Sequence, residues 1–478
     1  MKIIYQIGRL DNPKTAKRKF FITNKSQNGD EMIPKESELS SFVLKDFLEQ
    51  QGHKVKTVVI YPVSILLNEK IKEYIEDDDL KEKLKSICEN PLEYLKSPFD
   101  IINKLPLESL RDDTLVIHSL GTYLNNVELD GSYDDIVLEI LFDMIERYID
   151  DKKEENIDEI YLDISSGHNI YISAMIEASR HFAVLTKLMH WIHEERQPRI
   201  YLTFSDPITG RTAENYELHI QPQSYTAFFS SPISKKEACD HNFSFLRNIY
   251  QEPQDDKNGN NKVLQKKQIR EKRKALKEKI EMFTILFSAI KNNVPLYLYY
   301  HPYHSIDEIK NELKNLINHA KDQLSKDFKS SPRLNKKAYL DAILSLCFYM
   351  GIVEVLEEYN ITMFCQQTGF DLEKLGQTFA QIYTIFGIPM NWTMLGNEIS
   401  NDTEKIQEHG EIEQWTRLRK IVDPGKPIYD EPDKRNFFAH SGLEGNITEV
   451  RYNGEKVYVR YIQVLPQSTI DCWLKERV

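Results

Sequence analysis

At 478 residues the chain is too long for one compact core, and about two to three domains are expected. Hydrophobic residues at 41% and charged residues at 28% suit a globular protein, while a net charge of -12 excludes a surface that coats nucleic acid over its whole extent, though not a local basic channel. Cys88, Cys239, Cys347, Cys365 and Cys472 are odd in number, widely spaced and without a CxxC pair, which argues against a disulfide framework or a structural zinc.

The first half alternates strand and helix patterns. Strands are predicted at 2–7, 54–61 (ended by Pro62), 114–119, 159–164 and 199–204, with a late antiparallel strand at 216–225. Leu39, Phe42, Val43, Phe47 and Leu48 recur at helical spacing over 37–51, closed by Gly52, and a long helical pattern follows Gly167. Such alternation predicts a mostly parallel, Rossmann-like sheet. Composition changes after Ser230-Ser231-Pro232, and the polar run 254–261 marks a linker or loop-rich insertion. Helices are then predicted at 265–291, 306–328, 336–359, 372–386 and 403–422, and a hairpin at 449–462 around a two-residue Asn453-Gly454 turn. The expected division is 1–225 for the α/β domain, 226–262 for the linker and 263–478 for an all-α domain with a late β-hairpin. The start of the chain lacks the apolar core of a signal peptide. The apolar stretch 342–353 is too short to span a bilayer, so no membrane partner and a cytoplasmic location are expected.

The most informative stretch is Pro432-Asp433-Lys434-Arg435-Asn436-Phe437-Phe438-Ala439-His440-Ser441-Gly442. Asp433 fits a helix N-cap and Gly442 a C-terminal stop. Asn436 and His440, four apart, share a face, so the amide is expected to orient the imidazole. Arg435 lies on the adjacent face, within reach of the same phosphate. RNA carries its own nucleophile, the 2′-OH. A catalyst must move protons and stabilise a crowded anionic phosphate, tasks that suit His and Arg without a metal. The competing reading is a capped helix with solvated polar residues.

The predicted strand ends supply a second cluster. Asp163-Ile164-Ser165-Ser166-Gly167-His168-Asn169 joins a strand to a helix, where small residues admit a ligand and helix amides favour phosphate. His118-Ser119-Leu120-Gly121-Thr122 and Gln6-Ile7-Gly8 end two other strands. Neither a G-x-G-x-x-G nor a Walker pattern is present, which disfavours NAD binding and ATP hydrolysis. Three lesser features stand outside these clusters. Lys266, Lys267, Arg270, Lys272, Arg273, Lys274, Lys277 and Lys279 form either an RNA guide or a solvated helix face. His301-Pro302-Tyr303-His304 reads as a loop rather than a metal site. Arg417 and Arg419, after Trp415, read as surface ion pairs rather than as supplements to the phosphate site.

Arg435-Asn436-Phe437-Phe438-Ala439-His440 matches the R-N-x-x-x-H signature of HEPN ribonucleases, and the N-terminal half is similar to CARF sensor domains. Together they resemble the CARF–HEPN ribonucleases of the Csx/Csm type that accompany type III CRISPR complexes. The resemblance implies a metal-independent endoribonuclease for single-stranded RNA that leaves 2′,3′-cyclic phosphate ends. It also implies a homodimer or higher even oligomer with a composite catalytic site at Arg435, Asn436 and His440. The implied allosteric activator is a cyclic oligoadenylate, with cyclic tetra-adenylate the first choice and cyclic hexa-adenylate sharing its two-fold symmetry. Ser165, Ser166, Gly167, His168 and Asn169 are then the leading activator-binding residues, with Ser119, Gly121, Thr122 and Gly8 behind them. The rival reading is a CARF-type regulator or scaffold that binds nucleic acid without cutting it. The linker and the terminal hairpin match no family feature.

Overall fold

Val, Ile and Leu runs form the centre of the first unit because strands buried on both faces need near-continuous apolar sequence. Every residue of β1 (Lys2–Ile7) and of β8 (Glu159–Asp163) is buried. The computed structural model describes residues 1–9, 17–23, 34–68, 78–103, 111–150, 156–207, 214–251, 260–362 and 368–478, so Cys365 and most of the polar run 254–261 lie outside the described residues.

Besides β1 and β8, the first unit contains β2 (Arg18–Phe21), β3 (Lys35–Ser37), β4 (Val55–Pro62), β5 (Asp113–Ile117), β9 (Arg199–Ser205) and β10 (Asn215–Gln223). They form one sheet in the order β3-β2-β10-β9-β8-β1-β4-β5. The central strands β9, β8, β1, β4 and β5 are parallel, and β10 runs antiparallel to β9, as the sequence pattern predicts. β6 (Leu120–Tyr123) and β7 (Val127–Asp130) make a separate antiparallel pair. Segment 120–123 is therefore a strand of its own rather than a simple strand-to-helix turn. The helix Ser40–Gln50 follows β3, and Gly52 adopts φ +83° just beyond its end.

The chain divides into two compact units that do not follow contiguous sequence. The first takes Met1–Lys187, Glu195–Thr226 and Lys314–Lys336; the second takes Leu188–Glu194, Ala227–Leu313 and Lys337–Val478. The inclusion of Lys314–Lys336 in the first unit differs from the expected cuts at 225 and 262. Specific bonds account for it. Arg333 and Leu334 donate their backbone N–H groups to Asp135 at 2.8 and 2.7 Å. His118 is fully buried, with Nδ1 2.6 Å from Glu139 and Nε2 3.0 Å from the Asp327 carbonyl. Burial alone would lower the imidazole pKa, but the Glu139 carboxylate and the carbonyl hold it up at about 9.

The second unit is mainly helical, with long helices Asn260–Lys291, Lys336–Glu358 (from Lys337 onward), Leu372–Ile385 and Pro389–His409. Lys336–Glu358 spans 23 residues, longer than the apolar stretch read from sequence, and 78% of its most apolar window is buried. It is thus a core helix by its surroundings. Gly351 makes that packing feasible, since a Cβ there would lie 2.0 Å from the Leu188 carbonyl oxygen. Two expectations are corrected here. The single helix predicted at 403–422 is three elements: Gly410 (φ +90°) stops Pro389–His409, β12 (Ile412–Arg417) follows, and a short helix covers Leu418–Val422. The terminal hairpin is part of a four-stranded antiparallel sheet, ordered β11 (Phe370–Asp371), β14 (Val457–Tyr461), β13 (Thr448–Tyr452), β12. Its connection is longer than Asn453-Gly454, because Tyr452 pairs with Val457 and the Asn453 side chain accepts the N–H groups of Glu455 and Lys456 at 3.1 and 2.8 Å.

Candidate functional site

The R-N-x-x-x-H motif forms a helix of six residues, Lys434–Ala439, too short to be stable alone. Asp433 caps it, accepting the Asn436 N–H at 2.8 Å. Phe437 and Phe438 are 0% and 7% exposed, and burial of this kind contributes about 2 kcal/mol per ring. Phe437 packs against Tyr297 and Trp473, and Phe438 carries the Arg477 guanidinium 4.0 Å above its ring. The helix stops where Ser441 (φ +53°) and Gly442 (φ +78°) turn left-handed; a Cβ at Gly442 would lie 2.7 Å from Val294.

This anchoring leaves Arg435 and His440 exposed and Asn436 half-buried. The partner of the imidazole is not the Asn436 amide. His440 Nδ1 lies 2.6 Å from Glu398 Oε1 on the helix Pro389–His409. Asp402, four residues on from Glu398, is 5% exposed, and its Oδ2 is buried with no hydrogen-bond partner among the described residues. The Glu398 hydrogen bond, with the charges of Glu398, Asp402 and Glu444 behind it, raises the pKa of His440 against the opposing effect of burial. Burial, followed by the Glu398 charge, pushes Asp402 up to about 7. The site thus presents a half-exposed imidazole biased toward its charged form, with the exposed Arg435 on the same short helix. Sequence reasoning missed Glu398 and Asp402, for which the only signal was their spacing of four on a helical pattern. Arg417 pairs with the exposed Asp430 at 3.0 Å, as a surface ion pair would, whereas Arg419 lies 3.7 Å from Glu444, which is buried, so this second pair is not on the surface.

The second cluster lies in the first unit. The chain builds β4 and β5 on one side of β1 and returns to add β8 and β9 on the other, so strand order reverses between β1 and β8. Ligands of open α/β sheets bind at such a point, beyond the strand carboxyl ends. There, Gln6 Nε2 donates to Ser40 Oγ (2.9 Å) and Ser166 Oγ (3.0 Å), and Gln6 Oε1 accepts the Ser41 N–H (3.1 Å). Asp163 accepts from Ser40 Oγ (2.6 Å) and from the Ser165 N–H (2.9 Å), while burial raises its pKa. Gly8 is required by Tyr61, whose ring would be 2.1 Å from a Cβ; Gly167 has φ +117° and faces Ile7. Gly167, His168 and Asn169 are exposed at the start of helix Asn169–Met189.

The end of β5 is two strands away from β1 and contributes differently. Ser119 is fully buried and accepts the Ser64 N–H at 3.0 Å, whereas Gly121 and Thr122 are exposed on β6. Tyr171, in the first turn after Asn169, places its hydroxyl among Ser64, Ser119 and Tyr123 and so links the two segments. Ser40 and Tyr171 belong to this cluster without having been singled out by the sequence, whereas Gln6 and Asp163 lie in the strand-end motifs but were not among the expected ligand residues.

The remaining features fall into place around these two sites. The basic stretch lies on helix Asn260–Lys291, with exposed pairs Lys267–Glu271 (3.9 Å) and Lys274–Glu278 (3.8 Å), and Arg273 bonded to the Tyr250 carbonyl at 2.5 Å. His301 and His304 turn to different partners, Asp471 and Tyr349. Asp206, Glu217 and His219 cluster closely enough to hold a cation, and His219 Nε2 is bonded to Asp206 at 2.8 Å.

Two family models match the chain, one in each half. The model of the CARF domain of the CRISPR system endoribonuclease Csx1 matches residues 2–207, and that of the HEPN domain of the same endoribonuclease matches residues 389–463. No curated protein matches the chain. The HEPN match begins at the helix that bears Glu398, contains the R-N-x-x-x-H motif and runs through β14. The matched segments span more than half of the chain, which belongs to the CRISPR-associated CARF–HEPN ribonucleases of the Csx1 type.

Proposed function

We propose that the chain is a metal-independent endoribonuclease for single-stranded RNA, switched on by a cyclic oligoadenylate during type III CRISPR defence in the cytoplasm. The observation that carries the catalytic part is the 2.6 Å bond between His440 Nδ1 and Glu398. It directs the Nε2 proton outward. In the reaction the 2′-oxygen bonds to phosphorus as its proton passes to solvent water, the bond from phosphorus to the 5′-oxygen breaks, and His440 Nε2 gives its proton to that oxygen, to be reprotonated from solvent afterwards. The products are a 2′,3′-cyclic phosphate and a 5′-hydroxyl. Arg435 offsets the charge of the crowded phosphate. Asn436 borders the same phosphate site.

The working species is a homodimer with a composite site. Helix Pro389–His409, which supplies Glu398, also exposes Met390 (70%), Trp392 (52%) and Met394 (49%), apolar area suited to a second copy. For the activator, cyclic tetra-adenylate fits the two-fold symmetry of such a dimer, and cyclic hexa-adenylate shares that symmetry. Ser165, Ser166, Gly167, His168, Asn169 and Gly8 line the switch-point crevice, with Ser119, Gly121 and Thr122 farther along the edge. Activation requires the ring to bind the active arrangement more tightly than the inactive one.

The deciding experiment is cleavage of single-stranded RNA with and without each ring, in excess chelator, followed by analysis of the product ends. Ring-dependent cleavage to 2′,3′-cyclic phosphate is expected. Cleavage that chelator abolishes, or that ignores every ring, defeats the corresponding part of the proposal.

A further inference from the structure

The terminal sheet offers a surface that the catalytic reading does not use. Side chains alternate across a strand. Thr448 and Val450 of β13 and Val457, Val459 and Tyr461 of β14 are buried inward. The opposite face therefore bears Glu449 and Arg451 of β13, Tyr458 and Arg460 of β14, and, through the pairing of Thr416 with Val450, Trp415 and Arg417 of β12. Trp415 lies across the sheet against the backbone of Gly369, where a Cβ would be 2.2 Å from the indole. The Arg460 guanidinium is 4.3 Å from the indole centroid, and Arg451 sits 5.2 Å from Trp415 and 5.4 Å from the Tyr458 ring.

The arginines differ in their charge partners. Arg417 pairs with Asp430 and Glu449, and Arg460 pairs with Glu449. Among the described residues no carboxylate lies within ion-pair distance of Arg451. Its guanidinium is oriented by two aromatic rings and keeps an uncompensated charge on a half-exposed face. Planar cations and aromatics on one antiparallel face, with the charge of Arg451 left for a ligand although Asp371 also shares the face opposite Tyr458, complement a strand with π-faces and phosphates. The inner face connects this platform to the catalytic turn: the Tyr461 hydroxyl donates to the Gly442 carbonyl at 2.8 Å, and the Ile462 N–H to Ile447 at 2.9 Å.

We propose that the outer face of β12, β13 and β14 is a docking platform for single-stranded RNA, on which Arg451 takes a phosphate and Tyr458, beside the Trp415–Arg460 stack, takes a base. This rests on the nuclease reading only for the identity of the strand as substrate; binding can be tested without cleavage.

The test uses the full chain with His440→Ala and a labelled 2′-O-methyl single-stranded oligoribonucleotide, which no 2′-OH mechanism can cut. Adding Arg451→Ala or Tyr458→Leu should each weaken binding by about five- to tenfold, and the pair by more. Thermal melts identify any variant that has lost its fold. Arg451→Lys, which keeps charge but not the plane, should recover only part of the affinity. Ultraviolet cross-linking should join bases to the peptide that contains Tyr458. Unchanged affinity in a folded Arg451→Ala, Tyr458→Leu chain overturns the proposal, as does equal competition by an acidic peptide. If the oligonucleotide binds through these residues but unmodified RNA is never cut, the platform stands and the nuclease reading fails. If RNA is cut while the variants bind normally, the reverse holds.

Discussion

Glu398 Oε1 accepts the Nδ1 hydrogen bond of His440 at 2.6 Å, from a helix 42 residues earlier in the chain. A carboxylate in that place does two things, of which an amide could do only the second. It stabilises the imidazolium by charge, and it fixes which nitrogen faces outward. The first prediction follows. Glu398→Gln and Glu398→Ala should both lower the pKa of His440 toward the ordinary imidazole range. Because the protonated form donates to the leaving oxygen, the basic limb of the kcat profile should move to lower pH, with about tenfold less activity on that limb and KM little changed. NMR titration of the His440 ring protons reads the shift directly. An unmoved limb and an unmoved titration together exclude the role given to Glu398.

Loss of either motif side chain should be far more severe. His440→Ala and Arg435→Ala should each reduce cleavage by about 10²-fold or more while leaving the fold and the dimer intact. Asn436→Ala should cost less, since Glu398 holds Nδ1. Cleavage rates on a fluorescent RNA, with gel filtration beside them, distinguish these outcomes; full activity in a folded His440→Ala chain removes the assignment.

Local signals explain what the sequence made visible. The strands β1, β4, β8 and β9 follow from largely apolar runs, and the helix of the R-N-x-x-x-H motif follows from Asp433 and Gly442 at its ends. What stayed hidden depends on contacts distant in the chain. β12 was lost inside a helical reading because Ile412–Arg417 gains its strand geometry from pairing with β13, not from its own composition. Glu398 and Asp402 carry no motif, and only the packing of helix Pro389–His409 brings them to His440. Gln6 stands in a polar strand end, but its pairing with Asp163 and its bonds to Ser40 and Ser166 depend on register and on segments far along the chain.

Asp402 yields a prediction on stability. Its pKa in the folded chain, about 7, lies above the ordinary 3.8. Between those values the folded state holds the proton more firmly than the unfolded state, so stability falls as pH rises through that window and levels off above it. Asp402→Asn removes the titration. The variant should be more stable than the unmodified chain at pH 8, by on the order of a few kcal/mol, and should lose that advantage at pH 4. Melting temperatures at the two pH values decide it; an advantage independent of pH rules out the titration of Asp402 as its source.

The basic helix can be tested by charge alone. Replacing Lys267, Lys272, Lys274 and Lys277 with Gln should weaken RNA binding and flatten its dependence on salt if the helix guides the strand. Affinity measured from about 50 to 200 mM salt gives the slope. An unchanged slope leaves Lys267–Glu271 and Lys274–Glu278 as solvated pairs on a helix face.

The switch-point crevice gives the last prediction, which joins the two halves of the chain. His168 and Asn169 are exposed at a helix start, where side chains and amides can meet a phosphate, whereas Ser166 is held from behind by Gln6. His168→Ala and Asn169→Ala should each weaken binding of the activating ring by about tenfold, the cost of a lost polar contact to a charged group. Gln6→Leu should weaken it indirectly, by releasing Ser40 and Ser166 from their shared donor. Gly167→Val should do so most severely, because φ +117° and the nearness of Ile7 both oppose a side chain. Calorimetric titration with cyclic tetra-adenylate and cyclic hexa-adenylate measures each change and the stoichiometry, expected at one ring per two chains. The concentration giving half-maximal RNA cleavage should rise in the same order as the dissociation constants, since these residues act on catalysis only through the ring. Variants that bind like the unmodified chain would show that the ring sits elsewhere, and an unmodified chain that binds neither ring would end the sensor reading.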